Sequence, residues 1–320
     1  MPASNLTIDN FANLCKAVSE PLRVMVLRVL LHNSFGVLEL TQLFNTTQSG
    51  MSHHLKVLLQ AGLVITRREG NTIFYRRTLS VEHSLSRFHQ SLLAEIDGLA
   101  IPNELQQNLN IIYAERAEAS RIFFTNLAKG DGIDQQDVIV DLKHYQDNIL
   151  KIIDSKGFNK EAIALEVGPG DGKFLPLLAK RFKEVIAVDN NAEMLQLAEQ
   201  YCQQQQLPNV ILKKADATKL QVTNPLDCIV ANMVLHHLPA PADAFQHFKS
   251  CLKASGNLLV AELCHHEQDW VTKTCGDLWL GFEPDELTHW ASSAGFKPDE
   301  SLYIGLRNGF QLQIRCFCAV

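Results

Sequence analysis

The apolar positions of the chain follow one pattern up to about residue 160 and another beyond it. Over residues 10–32 they recur at helical spacing. Ser19-Glu20-Pro21 interrupts that stretch and opens a fresh helix, with Ser19 in the N-cap position and proline tolerated in the first turn. A shorter helix is expected around Val37–Leu43. Thr46 and Thr47 offer caps for a further helix that runs to Ala61 and ends at Gly62. LVITRREG and NTIFYRRTL then alternate and are rich in β-formers, with Gly70-Asn71 between them, which predicts a hairpin. From about residue 82 to 155 the pattern is mostly helical, strongest over 115–124, and Lys129-Gly130-Asp131-Gly132 breaks it. A dimerisation helix and a helical linker are expected in this region.

Beyond residue 160, short apolar runs alternate with helical segments. AIALEV, EVIAVD, NVILKKAD, LDCIVAN and NLLVAEL read as buried strands. KFLPLLAKRF, NAEMLQLAEQYCQ, ADAFQHFKSCL and DELTHWASSAG read as the helices between them. That alternation predicts a parallel, doubly wound sheet. The tail SLYIGLRNGFQLQIRCFCAV reads as two strands about an Asn308-Gly309 turn, closing the sheet with an antiparallel pair.

At 320 residues the chain is long for one core, so two domains are expected. No apolar run approaches the roughly 20 residues needed to span a bilayer. MPASNLTIDN lacks a basic start followed by an apolar block, so a secretory signal is not expected. The eight cysteines are scattered without a CxxC, which suits reduced thiols in a cytoplasm. The net charge of −6 divides unevenly, +2 over residues 1–100 and −8 over the remainder. Between residues 46 and 80, Lys56, Arg67, Arg68, Arg76 and Arg77 stand against Glu69 alone. A local basic patch on an acidic protein can still release counterions where it meets phosphate.

The helix Gln48–Ala61 sorts cleanly at 100° per residue. Met51, Leu55 and Leu58 fall inward, and Ser49, Ser52, His53, Lys56 and Gln60 fall outward. His54 lies on the flank of the apolar side, as a packing histidine. A short, polar, positive outer face suits base edges and phosphates in a major groove. Helix, helix, turn, polar helix and basic hairpin is the order of a winged helix-turn-helix, and Arg67, Arg68, Arg76 and Arg77 flank the wing tip. LCKAVSEPLRVMVLRVLL and TTQSGMSHHLKVLLQAGLVITRREGNTIFYRRTL resemble the ArsR-type family of dimeric repressors over about residues 10–80. That resemblance implies a homodimer on an inverted-repeat operator in double-stranded DNA, with Gln48, Ser49, Ser52, His53 and Lys56 reading it and Arg67, Arg68 and Arg76 in the wing. Metal or arsenite sensing, for which this family is best known, needs converging soft ligands. GVLELTQLF carries no cysteine, and His83 and His89 have the wrong spacing, so no metal site is expected.

LEVGPGDG follows a strand and precedes a helix, with glycines at 168, 170 and 172. Backbone without side chains there can approach a ligand closely and turn into a helix. Three polar positions sit at the carboxyl ends of later strands: Asp189, Asp216 followed by Ala217, and Asn232. A carboxylate at 189 can accept hydrogen bonds from both hydroxyls of a ribose. In order, these motifs resemble class I S-adenosylmethionine-dependent methyltransferases over about residues 145–320. The resemblance implies that Glu166, Gly168, Pro169, Gly170 and Gly172 face the methionine end of the ligand. It implies Asp189 and Asn190 at the ribose, Asp216 and Ala217 at the adenine, Met194 packed on the adenosine, and Asn232 near the sulfonium. The expected organisation is therefore two-domain: an α+β winged helix-turn-helix with its dimerisation segment over residues 1–100, a helical linker over 101–145, and an α/β, Rossmann-like class I methyltransferase fold over 146–320.

His236, His237, His265 and His266 are candidate bases, with His265 and His266 placed to face a pocket, although a solvated loop fits the latter pair equally well; no catalytic residue is assigned. Cys264 and Cys275 do not make a thiol set for arsenic chemistry. The whole arrangement resembles the S-adenosylhomocysteine-responsive ArsR-type regulators of the methionine cycle (SahR). It implies a repressor whose second domain senses S-adenosylhomocysteine or S-adenosylmethionine. An active small-molecule methyltransferase with a regulatory DNA-binding head is the alternative, and a metal or arsenite sensor the third reading.

Overall fold

A computed structural model describes residues 7–79, 87–130 and 139–320. The chain divides into two units, Met1–Glu115 and Arg116–Val320. The division falls inside a helix, Asn103–Ala128, so the expected linker segment 101–145 is shared between the units. Residues 80–86 and 131–138, which include His83, Asp131 and Gly132, lie outside the described residues.

The first unit runs α1 (Ile8–Ala17), α2 (Pro21–Val29), β1 (Phe35–Gly36), α3 (Val37–Leu43), α4 (Gln48–Gln60), β2 (Val64–Glu69), β3 (Thr72–Arg77), α5 (Arg87–Asp97) and the start of α6 (Asn103–Ala128). The cap of α2 is Glu20, not the expected Ser19. The Glu20 carboxylate accepts from the Arg23 N–H at 3.1 Å, while the Ser19 hydroxyl donates back to the Lys16 carbonyl and closes α1. A carboxylate can reach the first-turn amide and also favours the positive end of the helix dipole. Thr47 caps α4 as expected, accepting from the Gly50 N–H. The hairpin of β2 and β3 forms, and the sequence reading missed β1, which adds to β3 to give the order β1-β3-β2. Leu14, Leu27, Phe35, Leu40, Met51, Leu55 and Leu58 are fully buried at the centre of the unit. Leu93 and Ile96 of α5 and Leu105, Leu109 and Ile112 of α6 join the same core.

The second unit holds α7 (Gln146–Ser155), β4 (Ile163–Val167), α8 (Leu175–Ala179), β5 (Glu184–Asp189), α9 (Ala192–Gln204), β6 (Val210–Lys214), β7 (Leu226–Asn232), α10 (Pro241–Cys251), β8 (Leu252–Leu263), α11 (Trp270–Thr274), α12 (Pro284–Ser293), β9 (Phe296–Gly305) and β10 (Gln311–Ala319). The sheet order is β6-β5-β4-β7-β8-β10-β9. β4 to β8 pair in parallel, and β10 runs antiparallel to both β8 and β9. The chain moves outward from β4 to β6, then returns to the other side of β4 with β7. A ligand crevice forms outside the carboxyl ends of strands at such a reversal. α8 is shorter than the expected KFLPLLAKRF helix; proline lies in its first turn and it closes at Lys180. Among the described residues no helix is long and apolar enough to cross a membrane.

Candidate functional site

At the β4–β7 reversal lies a cavity of about 340 Å³, within the usual size range for small-molecule sites. It is lined by Glu166, Gly168, Pro169, Gly170, Asp189, Asn190, Met194, Asp216, Ala217 and Asn232, the residues singled out in the sequence with one exception. The exception is Gly172, which does not line the cavity. A Cβ on Gly172 would meet the Ala198 Cα at 3.2 Å, so this glycine lets the loop pack on α9. Gly168 combines both demands. Its φ is +63°, and a Cβ there would lie 2.5 Å from a methyl of Val234.

The polar groups are unevenly satisfied. Glu166 is 2% exposed, and its Oε2 has no hydrogen-bond partner among the described residues. Burial, helped by the charge of Asp171, pushes its carboxyl up to about 8. The Oδ1 of Asn232 is likewise buried without a partner among the described residues. Buried unsatisfied polar atoms are costly and uncommon in native proteins, and these two border one cavity. Burial also raises Asp189, to about 6, against the backbone N–H groups of Asn191 and Asn190. The Asn191 N–H donates to its Oδ1 at 2.8 Å. For Asp216 burial would raise the carboxyl, but Thr218, through its hydroxyl and its N–H, and Lys219 together hold it below the ordinary value.

These residues fit an adenosyl ligand. Glu166 and Asn232 leave acceptors open toward a cationic or N–H-bearing group, and the anionic form of Asp189 retains lone pairs for hydroxyls. The rest of the wall was not read from the sequence. Ser120, Phe124, Leu127 and Ala128 of α6, with Val140, Leu142 and Tyr145, close it. Their helical and apolar pattern gave no sign of a cavity, since the same pattern serves any packed helix.

The histidines separate by position. His237 lines the cavity, with its ring edge-on to Phe124 at 4.7 Å between centroids. His236 is buried between carboxylates, 2.5 Å from Glu262 and 3.7 Å from Asp277. Burial disfavours its imidazolium, but the two carboxylates outweigh that and raise its pKa. His237 is shifted the other way, by burial and then by His236. His236, His237 and Asp277 bring three ligating atoms within 4.8 Å of one another, a convergence invisible in the sequence because Asp277 lies in a distant loop. His265 and His266 do not border the cavity; His266 packs on Phe310. The Cys264 thiol is pushed up to about 11, chiefly by burial.

In the first unit, Gln48, Ser49, Ser52, His53 and Lys56 are all exposed on one face of α4. His54 is half-buried, near Arg23 and Glu20, as a packing residue. The wing corrects part of the reading. Arg67 is buried and ion-paired with Glu69, so it is removed from the DNA face. Arg77 is buried and paired with Asp97. Arg68 remains exposed and Arg76 half-buried. Adjacent residues in a strand point to opposite faces. Arg68 shares a face with Arg77, and Arg76 shares the other with Arg67 and has its Nε and one Nη buried, so Arg68 is the outward arginine of the wing. His89 is buried on α5, and that burial lowers its pKa.

Comparison with known proteins agrees with both halves. Residues 20–66 match the bacterial regulatory protein, arsR family model, and residues 165–260 match a methyltransferase domain. The biofilm growth-associated repressor of Xylella fastidiosa is 43% identical over 70 residues, 22% of this chain and 61% of that repressor. The chain thus spans about three fifths of the length of that relative. The ubiquinone biosynthesis O-methyltransferase of Coxiella burnetii is 26% identical over 162 residues, 46% of this chain and 69% of that enzyme. Among solved structures, magnesium protoporphyrin IX methyltransferase from Synechocystis PCC 6803 with bound SAH superposes with a TM-score of 0.51 at 16% identity, covering 62% of this chain and 94% of that one. That likeness shows the fold of the second unit. The chain therefore joins an ArsR-family helix-turn-helix domain at its N-terminal end to a methyltransferase domain at its C-terminal end.

Proposed function

We propose that this protein is a transcriptional repressor whose methyltransferase-like unit binds S-adenosylhomocysteine or S-adenosylmethionine and thereby changes the grip of its winged helix on DNA. The observation that carries this reading is α6. Its first part supplies Leu105, Leu109 and Ile112 to the core of the DNA-binding unit. Its last part supplies Ser120, Phe124, Leu127 and Ala128 to the wall of the ligand cavity. One uninterrupted helix therefore belongs both to the reader and to the sensor. Methyl transfer alone needs no such continuity, whereas coupling requires an element that both sites bias.

The open acceptors of Glu166 and Asn232 support an adenosyl ligand, as does the bound SAH of the structural neighbour. The exposed polar face of α4 with Arg68 supports operator binding through phosphates and base edges. Exposed Ile8 (88%) and the contacting pair Phe11 and Phe88 form an apolar patch on α1 and α5 that suits a homodimer on an inverted repeat. Control of methionine-cycle genes is the setting in which such a ligand would carry information.

The test is a titration of each ligand against a labelled duplex from the protein's own upstream region, in parallel with labelled S-adenosylmethionine and candidate acceptors. A ligand-dependent shift of about 5- to 150-fold in operator affinity is expected for ordinary allosteric coupling. Unchanged operator affinity together with methyl transfer to an acceptor would replace this reading with that of an active methyltransferase.

A further inference from the structure

Asn191 bridges Asp189, at the carboxyl end of β5, and α6. It is 2% exposed, although asparagine is usually a surface residue. Each of its polar groups has a separate partner. Its backbone N–H donates to the Asp189 carboxylate at 2.8 Å. Its side-chain oxygen accepts from the Met194 N–H at 2.9 Å and caps α9. Its side-chain NH2 donates to the Arg121 carbonyl at 3.2 Å and to the Thr125 hydroxyl at 2.9 Å, both on α6. A helix cap needs only the oxygen. The two bonds to α6 exceed what capping requires, and they join the segment carrying Asp189 to the helix that enters the core of the DNA-binding unit.

We propose that Asn191 is the positioning residue through which ligand at Asp189 is reported to α6. The inference rests on the regulator reading above and names the path by which its site is coupled. Ligand hydroxyls that hydrogen-bond to Asp189 fix its carboxylate, and the carboxylate holds the Asn191 N–H. With that backbone fixed, the side-chain NH2 is held against Arg121 and Thr125, one turn apart on α6. Without ligand, the Asp189–Asn191 segment lacks this restraint and the α6 bonds open more readily. A buried network with discrete bonded and unbonded arrangements can carry such a bias, because a half-made arrangement leaves buried donors unsatisfied. Thr125 does not line the cavity, so it can be changed without touching ligand contacts.

The experiment uses the full chain and measures three quantities for each variant: Kd for S-adenosylhomocysteine, operator Kd without ligand, and operator Kd with saturating ligand. Thr125→Val removes the hydroxyl acceptor. Asn191→Ser retains a capping oxygen but is too short to reach α6. Thr125→Ser restores the hydroxyl. Thr125→Val and Asn191→Ser are expected to keep ligand Kd and ligand-free operator Kd within about twofold. Their ligand-induced change in operator Kd should shrink by about fivefold, the order expected for one buried hydrogen bond. Thr125→Ser should keep the wild-type response. Hydrogen exchange at the α6 amides should slow on ligand addition in wild type and in Thr125→Ser, but not in the other two. Full response in both Thr125→Val and Asn191→Ser overturns the path and leaves the regulator reading standing. Loss of ligand binding in Thr125→Val also overturns it, by making Thr125 part of the binding site. No ligand response in the wild type overturns the regulator reading itself, and the path with it.

Discussion

Asp189 and Glu166 carry opposite consequences from the same cause, burial of a carboxyl at the cavity wall. For Asp189 the ligand needs the anion, because ribose hydroxyls donate. Its carboxyl lies near 6 in the free protein, so below that pH a proton must leave before the ligand's hydroxyls can be accepted. The expected outcome is a ligand Kd that is flat above about pH 7 and rises up to tenfold per pH unit below 6, measured by calorimetry. Asp189→Asn should bind weakly at every pH and lose the slope, while ligand-free DNA binding stays intact. Glu166, near 8, is neutral in the empty cavity at pH 7. A raised carboxyl favours the folded state fully below its unfolded value near 4.5, and the advantage is lost as pH rises through 8. Apo stability should therefore fall by about 1.4 kcal/mol per pH unit across that window relative to Glu166→Gln, read from urea midpoints of the two proteins. Binding a cationic ligand at pH 7 should release a proton, seen as a binding enthalpy that varies with the buffer. Asp189 was legible in the sequence because it ends a strand of a predicted parallel sheet, and Glu166 through the resemblance carried by the LEVGPGDG motif. Asn191 was not singled out in the sequence, since its partners Arg121 and Thr125 come from a segment some seventy residues away.

Elements were easier to read than their faces. The parallel sheet, the wing and α4 all appear where periodicity places them. The two-residue β1 was missed because a strand that short carries no period. In the wing the error was one of parity. Arg67 and Arg68 were counted together, yet successive strand residues alternate, and the structure gives Arg67 to an ion pair with Glu69. This separates two classes of variant. Lys56→Ala on α4 should weaken operator binding and reduce the slope of log K against log salt by about 0.9, the signature of one lost phosphate contact. Arg67→Ala should leave that slope unchanged and lower thermal stability instead, because it removes the buried ion pair with Glu69. Equal salt slopes for wild type and Lys56→Ala in fluorescence anisotropy would remove Lys56 from the phosphate face. At the cavity loop, Gly168→Ala should destabilise the second unit by about 1–3 kcal/mol. It combines an unfavourable φ with a clash against Val234, and ligand should not restore the loss.

At the scale of the whole molecule, the informative feature is where the division falls. The sequence suggested a helical linker over 101–145. The division between the two units falls within that range, between Glu115 and Arg116 inside α6. A flexible tether transmits only proximity, whereas a continuous helix transmits any change in its own position or order. The period of 3.6 runs on through residues 115–124, so the continuity was visible in the pattern, but nothing in that pattern says that the two ends serve different cores. If continuity is the coupling element, interrupting it should separate the two activities without abolishing either. Insertion of three glycines between Glu115 and Arg116 lies at the seam between the units, so each keeps its own core. Helix interiors lose roughly 1 kcal/mol per glycine, enough for three to open the helix locally. Ligand Kd and ligand-free operator Kd should both stay within about threefold of wild type, and the gel-filtration profile should match that of wild type. The ligand-induced change in operator affinity should fall to near unity. A response that survives the insertion would show that the signal bypasses α6, and the place to look would then be direct action of the ligand-bound unit on DNA or on the second copy of the chain.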